Sequence, residues 1–194
     1  HEGKDGPLAL TFYSPVPKGI IPNDDLDLQV LWADRLRATR ATTASAELFA
    51  EAWSHHIIFP WAEYGVCKRT LHYGLKGGAC GRFDNWFGEG MGAIIRSEIW
   101  ACLAPGDPGR AAAFAWQDAC LDHCADGVWA EVLFAALQSA AFVETDRERL
   151  LDTGLGLLPK YSVLRKALQQ TRAWWAELRD WEAVRQRIVS TYQT

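Results

Sequence analysis

Apolar side chains along this chain recur mostly three and four positions apart, the spacing that gathers them on one side of an α-helix. The first such run carries Leu28, Leu31, Trp32 and Leu36 and predicts a helix over 24–38. Thr43 or Ser45 is placed to cap a second over 46–58, ended by Pro60, whose ring cannot continue a helix. Tyr64, Cys67, Leu71 and Leu75 mark a third over 62–75, stopped by Gly77 and Gly78. A fourth is predicted over 93–104, and Asp107 with Pro108 opens a fifth over 109–121. The pattern continues over 127–143, from a capping box Thr145 to Glu148 through 158, from Ser162 through 178, and over 181–192. Residues 1–22 hold too many glycines and prolines for a helix and read as an extended arm. Within that arm 8–13 is a candidate short strand, but no second strand of comparable clarity follows. The pattern therefore predicts an all-α protein of about nine helices, and no repeat of fixed period points to a solenoid.

Composition narrows the class. With 194 residues, 49% hydrophobic and 23% charged, the chain fits a single domain over 1–194 with a sizeable core. A net charge of -4 and the lack of a Lys/Arg run argue against a nucleic-acid partner. No apolar run approaches the length of a membrane span and the first residues do not read as a signal peptide, so a soluble, cytoplasmic protein is expected. Five cysteines at irregular spacing predict reduced thiols. Ten tryptophans imply large aromatic anchors, with Trp32, Trp53, Trp100 and Trp116 expected on buried helix faces.

Three stretches carry candidate chemistry. In the first, Asn23 caps a helix whose first turn holds Asp24, Asp25 and Asp27. Acidic residues are ordinary at a helix start, yet carboxylates this dense repel one another and are eased by a hard cation such as Mg²⁺, Mn²⁺ or Ca²⁺. The second is the glycine-rich run over 77–92, where Asn85, Trp86 and Phe87 precede Gly88, Gly90, Met91 and Gly92. Such a loop lets backbone approach a ligand, and feeding a helix N-terminus it can hold phosphate; close helix packing explains the same glycines equally well. In the third, Cys120, His123, Cys124 and Asp126 lie close together. The order Cys-x-x-His-Cys matches no zinc or haem pattern, so His123 is better read as a polar side chain at a helix C-terminus facing a cavity. His55 and His56, consecutive on a helix, point apart and do not form a shared site.

Taken together, Pro-Asn-Asp-Asp-Leu-Asp at 22–27, Asn-Trp-Phe-Gly-Glu-Gly-Met-Gly-Ala-Ile-Ile-Arg at 85–96 and Ala-Pro-Gly-Asp-Pro-Gly-Arg-Ala-Ala at 104–112, running on to Asp118 and His123, resemble the ADP-ribosylglycohydrolase family. The resemblance spans 22–159 and implies a multi-helix orthogonal bundle. It further implies Mg²⁺-dependent hydrolysis of the bond joining ribose C1″ to an acceptor, with ADP-ribose or an ADP-ribosylated protein or small molecule as partner. Asp24 and Asp25 match the family's paired metal-binding and catalytic aspartates, with Asn23 beside them where the family usually has Thr. Gly88, Gly90, Met91 and Gly92 match the loop against ADP-ribose, Trp86 or Phe87 is placed to stack on adenine or wall off solvent, and His123 and Asp126 match the segment that closes the pocket. Two departures stand out: the family's first acidic helix is expected upstream of His1, and its last Asp-x-Asp metal motif downstream of Tyr192. The resemblance therefore implies either the central part of a hydrolase or a catalytically inactive ADP-ribose-binding or protein-interaction domain on the same fold.

Overall fold

Ten α-helices and one 3-10 turn make up the computed structural model, which describes residues 23–58 and 61–193. No strand occurs among these residues, and the arm with its candidate strand at 8–13 lies outside them. In chain order the helices are α1 (Asp24–Thr39), α2 (Ala46–His55), α3 (Ala62–His72), α4 (Gly78–Arg82), α5 (Glu98–Leu103), α6 (Pro108–Ala119), α7 (Ala125–Ala140), α8 (Arg147–Leu157), α9 (Val163–Leu178) and α10 (Trp181–Tyr192). The all-α class read from the periodicity holds.

Side-chain caps set most of the helix starts. Asn23, Ser45, Asp107, Ser162 and Asp180 each accept a hydrogen bond from a backbone N–H of the first turn that follows. The cap of α8 is Asp146 rather than Thr145, its carboxylate accepting from Glu148 and Arg149 N–H at 2.9 and 3.2 Å. A carboxylate is the stronger acceptor at the positive end of a helix, which shifts the expected capping box by one residue. Helix α2 stops at His55, short of 58, because the Lys68 ammonium on α3 donates to the carbonyls of Trp53, Ser54 and Ile57 at 3.2, 3.4 and 2.5 Å.

The largest revision falls on the glycine-rich stretch. It folds partly into α4, and the single helix expected over 93–104 is broken into a 3-10 turn, Ile94–Arg96, followed by the short α5. The N–H groups of Ile94, Arg96 and Ser97 each donate three residues back, to Met91, Ala93 and Ile94 carbonyls. This tighter turn goes with Arg96 pointing fully into the core.

An aromatic chain runs through that core. Trp32 of α1 lies 4.9 Å from Phe49 and 6.1 Å from Trp53 of α2, Phe49 lies 5.2 Å from Trp100 of α5, and Trp53 lies 5.1 Å from Tyr64 of α3. Helices α6 and α7 pack through Ala111, Ala115, Ala119, Ala135 and Ala136, all without exposed surface. Trp116, expected inside, is 40% exposed because it shares the outward stripe of α6 with Ala113. A smaller cluster of Leu133, Leu155 and Leu158 seats α8 and α9 on the end of α7.

Candidate functional site

The start of α1 divides its carboxylates between two clefts. Positions three apart on a helix share a face, so Asp24 and Asp27 line one cleft with Asn23, His56, Trp61 and Tyr64, a space of about 810 Å³. Asp25 is turned about 100° away and lines a different cleft of about 550 Å³ with Gln29, Glu98 and Phe134. There Gln29 donates to Glu98 at 3.0 Å and to the Asp25 carbonyl at 2.8 Å. The adjacent aspartates thus do not converge in one cleft; Asp24 is joined there by Asp27. Asn23 spends its side-chain oxygen on Leu26 N–H at 3.1 Å, shaping the turn.

Behind the Asp24 cleft lies a buried ionic network that the motifs did not reveal. Arg96 donates to Asp118 at 2.9 Å and, through both terminal nitrogens, to Asp122 at 2.9 and 2.7 Å, with all three side chains fully buried. Trp32 of α1 donates to the same Asp118 oxygen at 3.1 Å, and Trp100 donates to Glu131 of α7 at 2.6 Å. Burial pushes the Asp122 carboxyl up, but Arg96 and then His123 outweigh it and hold it well below the carboxylate range. Asp118 goes the other way, raised by burial against the pull of Arg96. Glu131 is raised well above its ordinary value by burial and then by Asp118, which favours its neutral form. One signal in the sequence could have found this network: Arg96 and Glu131 interrupt otherwise apolar helical patterns.

The glycine-rich loop is fastened to the α6–α7 connection. Asn85 donates to the Gly81 and Asp122 carbonyls at 2.8 and 2.7 Å, and Cys124 N–H donates to the Gly88 carbonyl at 2.8 Å. A Cβ on Gly88 would sit 2.6 Å from the Cys124 sulfur, so close packing accounts for this glycine. Gly90 and Gly92 instead face the His123 ring: a Cβ there would lie 4.0 Å from Nε2 and 3.2 Å from Cε1, and at Gly92 it would also strike the Glu63 carboxylate. His123 is 1% exposed, its Nδ1 is 3.0 Å from Asp122 Oδ1, and its Nε2 has no hydrogen-bond partner.

The remaining expected site residues are placed elsewhere. Trp86 is 94% exposed and Met91 is also exposed, so neither walls the cleft. Asp126 is committed to α9, accepting from Ser162 Oγ, Val163 N–H and Leu164 N–H at 2.7, 2.8 and 2.9 Å. The helix start expected after Gly92, fit to hold phosphate, is instead the 3-10 turn, which offers no row of free N–H groups. Tyr64, missed in the sequence as a site residue, lines the Asp24 cleft, and the Glu63 carboxylate before it lies against Gly92.

Asp24 and Asp27 are oxygen donors suited to a hard cation, and two carboxylates fit one hydrated Mg²⁺, which keeps several waters. The paired-ion site implied by the resemblance asks for more, and among the described residues no group of three His, Cys, Asp or Glu side chains is arranged to hold a metal ion. A protein-family model described as ADP-ribosylglycohydrolase matches residues 4–193, well beyond the 22–159 span of the motifs. No curated protein and no solved structure matches the chain.

Proposed function

Because the chain belongs to the ADP-ribosylglycohydrolase family, we propose that it binds ADP-ribose in the cleft between the start of α1 and α3 and acts on the glycosidic bond at ribose C1″ of an ADP-ribosylated protein or small molecule. The observation that carries this reading is the meeting of Asp24, Asp27 and Tyr64 around one ligand-sized space of about 810 Å³. Cleavage at C1″ builds positive charge on the sugar, and fixed carboxylates on its face favour that charge. Asp24 and Asp27 are the residues proposed to supply it and to hold a hydrated Mg²⁺. When bound, such an ion supplies Lewis acidity toward sugar oxygens. Gly90 and Gly92 bring the loop backbone against His123, whose ring is steadied by Asp122 and, through it, by Arg96. Asp25 acts, in this reading, from the neighbouring cleft, where Glu98 is its acidic companion.

A second reading on the same fold is an ADP-ribose-binding domain without turnover. Both readings are tested by titrating ADP-ribose calorimetrically with and without Mg²⁺, and by assaying ADP-ribose release from ADP-ribosylated protein. Hydrolysis that needs Mg²⁺ and is lost in Asp24→Ala and Asp27→Ala supports the enzyme. Binding without release supports the second reading. A melting temperature unmoved by millimolar ADP-ribose, with or without Mg²⁺, would overturn both.

A further inference from the structure

We infer that the Tyr64 hydroxyl is a hydrogen-bond donor held for a ribose hydroxyl of the bound ligand, making Tyr64 the residue by which the cleft tells ADP-ribose from ADP. The inference rests on the ADP-ribose reading above and assigns a contact within it.

Tyr64 lies in the first turn of α3, is 7% exposed, and lines the cleft that holds Asp24 and Asp27. Its hydroxyl is enclosed and has no hydrogen-bond partner. A buried hydroxyl without a partner is destabilising, because it has given up water for nothing, and such groups are rare in folded proteins. Packing does not require it: the ring meets Trp53 edge-on at 5.1 Å, a contact that phenylalanine would make equally. The hydroxyl is therefore a cost to the fold that a ligand atom can repay.

The surroundings select the kind of atom. A phenol keeps its proton at neutral pH, so it donates. Carboxylates on the cleft wall disfavour a phosphate at this point but accept hydrogen bonds from a diol. A ribose hydroxyl both accepts from Tyr64 and donates to Asp24, and ADP-ribose carries a second ribose that ADP lacks.

The test is Tyr64→Phe, titrated with ADP-ribose and with ADP in millimolar Mg²⁺ and melted without ligand. The Kd for ADP-ribose is expected to rise about tenfold, the worth of one hydrogen bond, while that for ADP is unchanged and the unliganded melting temperature stays level or rises. Equal weakening of both nucleotides, or of neither, would overturn the assignment. So would a clear fall in melting temperature, which would reveal a structural partner for the hydroxyl. Wild-type protein that binds neither nucleotide would remove the ADP-ribose reading itself and the assignment with it, a result distinct from wild-type binding that Tyr64→Phe leaves intact.

Discussion

Trp32 on α1 donates its indole N–H to Asp118 on α6 at 3.1 Å, and through that bond the helix bearing Asn23, Asp24 and Asp27 is fixed to the buried charges behind the cleft. Asp118 also takes Arg96 at 2.9 Å, so its removal leaves both an indole N–H and part of a guanidinium unpaired in the core. Asp118→Ala is expected to cost about 3–5 kcal/mol, as for one partner of a buried ion pair. Asp118→Asn, which keeps an oxygen for Trp32, should cost less, about 1–3 kcal/mol. Urea unfolding of the two variants, at unchanged slope, measures the difference.

Burial pushes Glu131 toward its neutral form, and a pH signature follows. Its folded-state pKa lies above its ordinary value of 4.5, so the wild type enjoys the stabilising contribution of the bound proton below that pH and loses it as pH rises through the folded value. Glu131→Gln resembles the protonated acid, keeps an acceptor for Trp100, and has no proton to lose. Its stability relative to wild type is expected to climb from about pH 4.5 upward and then level off. Asp122, depressed by Arg96 and His123 against burial, works in the opposite sense: its contribution is present above its ordinary value of 3.8 and lost as pH falls through the folded value. Urea midpoints for both proteins from acid to neutral pH provide the check, and parallel curves would show that Glu131 is ionised in the fold.

Two glycines of the same loop should respond differently. Gly88→Ala drives a methyl to 2.6 Å from the Cys124 sulfur and is expected to lower stability by about 1–3 kcal/mol through overpacking. Gly90→Ala meets the Phe87 carbonyl at 3.0 Å and comes to 4.0 Å from His123 Nε2. It should weaken ADP-ribose binding with a smaller effect on melting. Calorimetric titration and thermal melts of the same preparations separate the two effects.

Asp126→Ala removes three acceptor contacts at the start of α9, to Ser162 Oγ and the N–H groups of Val163 and Leu164. A loss of about 1–2 kcal/mol is expected, the upper range for a helix cap. ADP-ribose affinity should be unchanged. A drop in affinity without loss of stability would return Asp126 to the pocket.

Helix existence was legible because the apolar spacing at Leu28, Leu31 and Trp32, or at Val184 and Ile188, is local information. Less legible were the places where a distant group decides. Lys68 ends α2 from another helix, and Arg96 turns the expected helix at 93 into a 3-10 turn because its partners lie on and beside α6. Nothing in Ala62 or Ala125 announces the positive φ of 46° and 44° with which α3 and α7 begin. At the site, the acidic start of α1 was plain in the sequence, but helical geometry pairs Asp24 with Asp27 rather than with its neighbour Asp25. Tyr64 was hidden because a tyrosine at helical spacing reads as core, which it also is.

The wall of the larger cleft has an unusual balance of charge: Asp24 and Asp27 stand on it, and among the described residues that line it there is no lysine or arginine. The Lys68 ammonium, which reaches the carbonyl of Ile57 in the lining, is occupied with the carbonyls that close α2. An anionic nucleotide therefore approaches like charge, which added monovalent salt screens. Affinity at low Mg²⁺ should then rise with ionic strength, opposite to the behaviour of phosphate sites built on basic residues, and the dependence should flatten once divalent ions saturate the carboxylates. Titrations across a sodium chloride series at two fixed Mg²⁺ concentrations would measure both slopes.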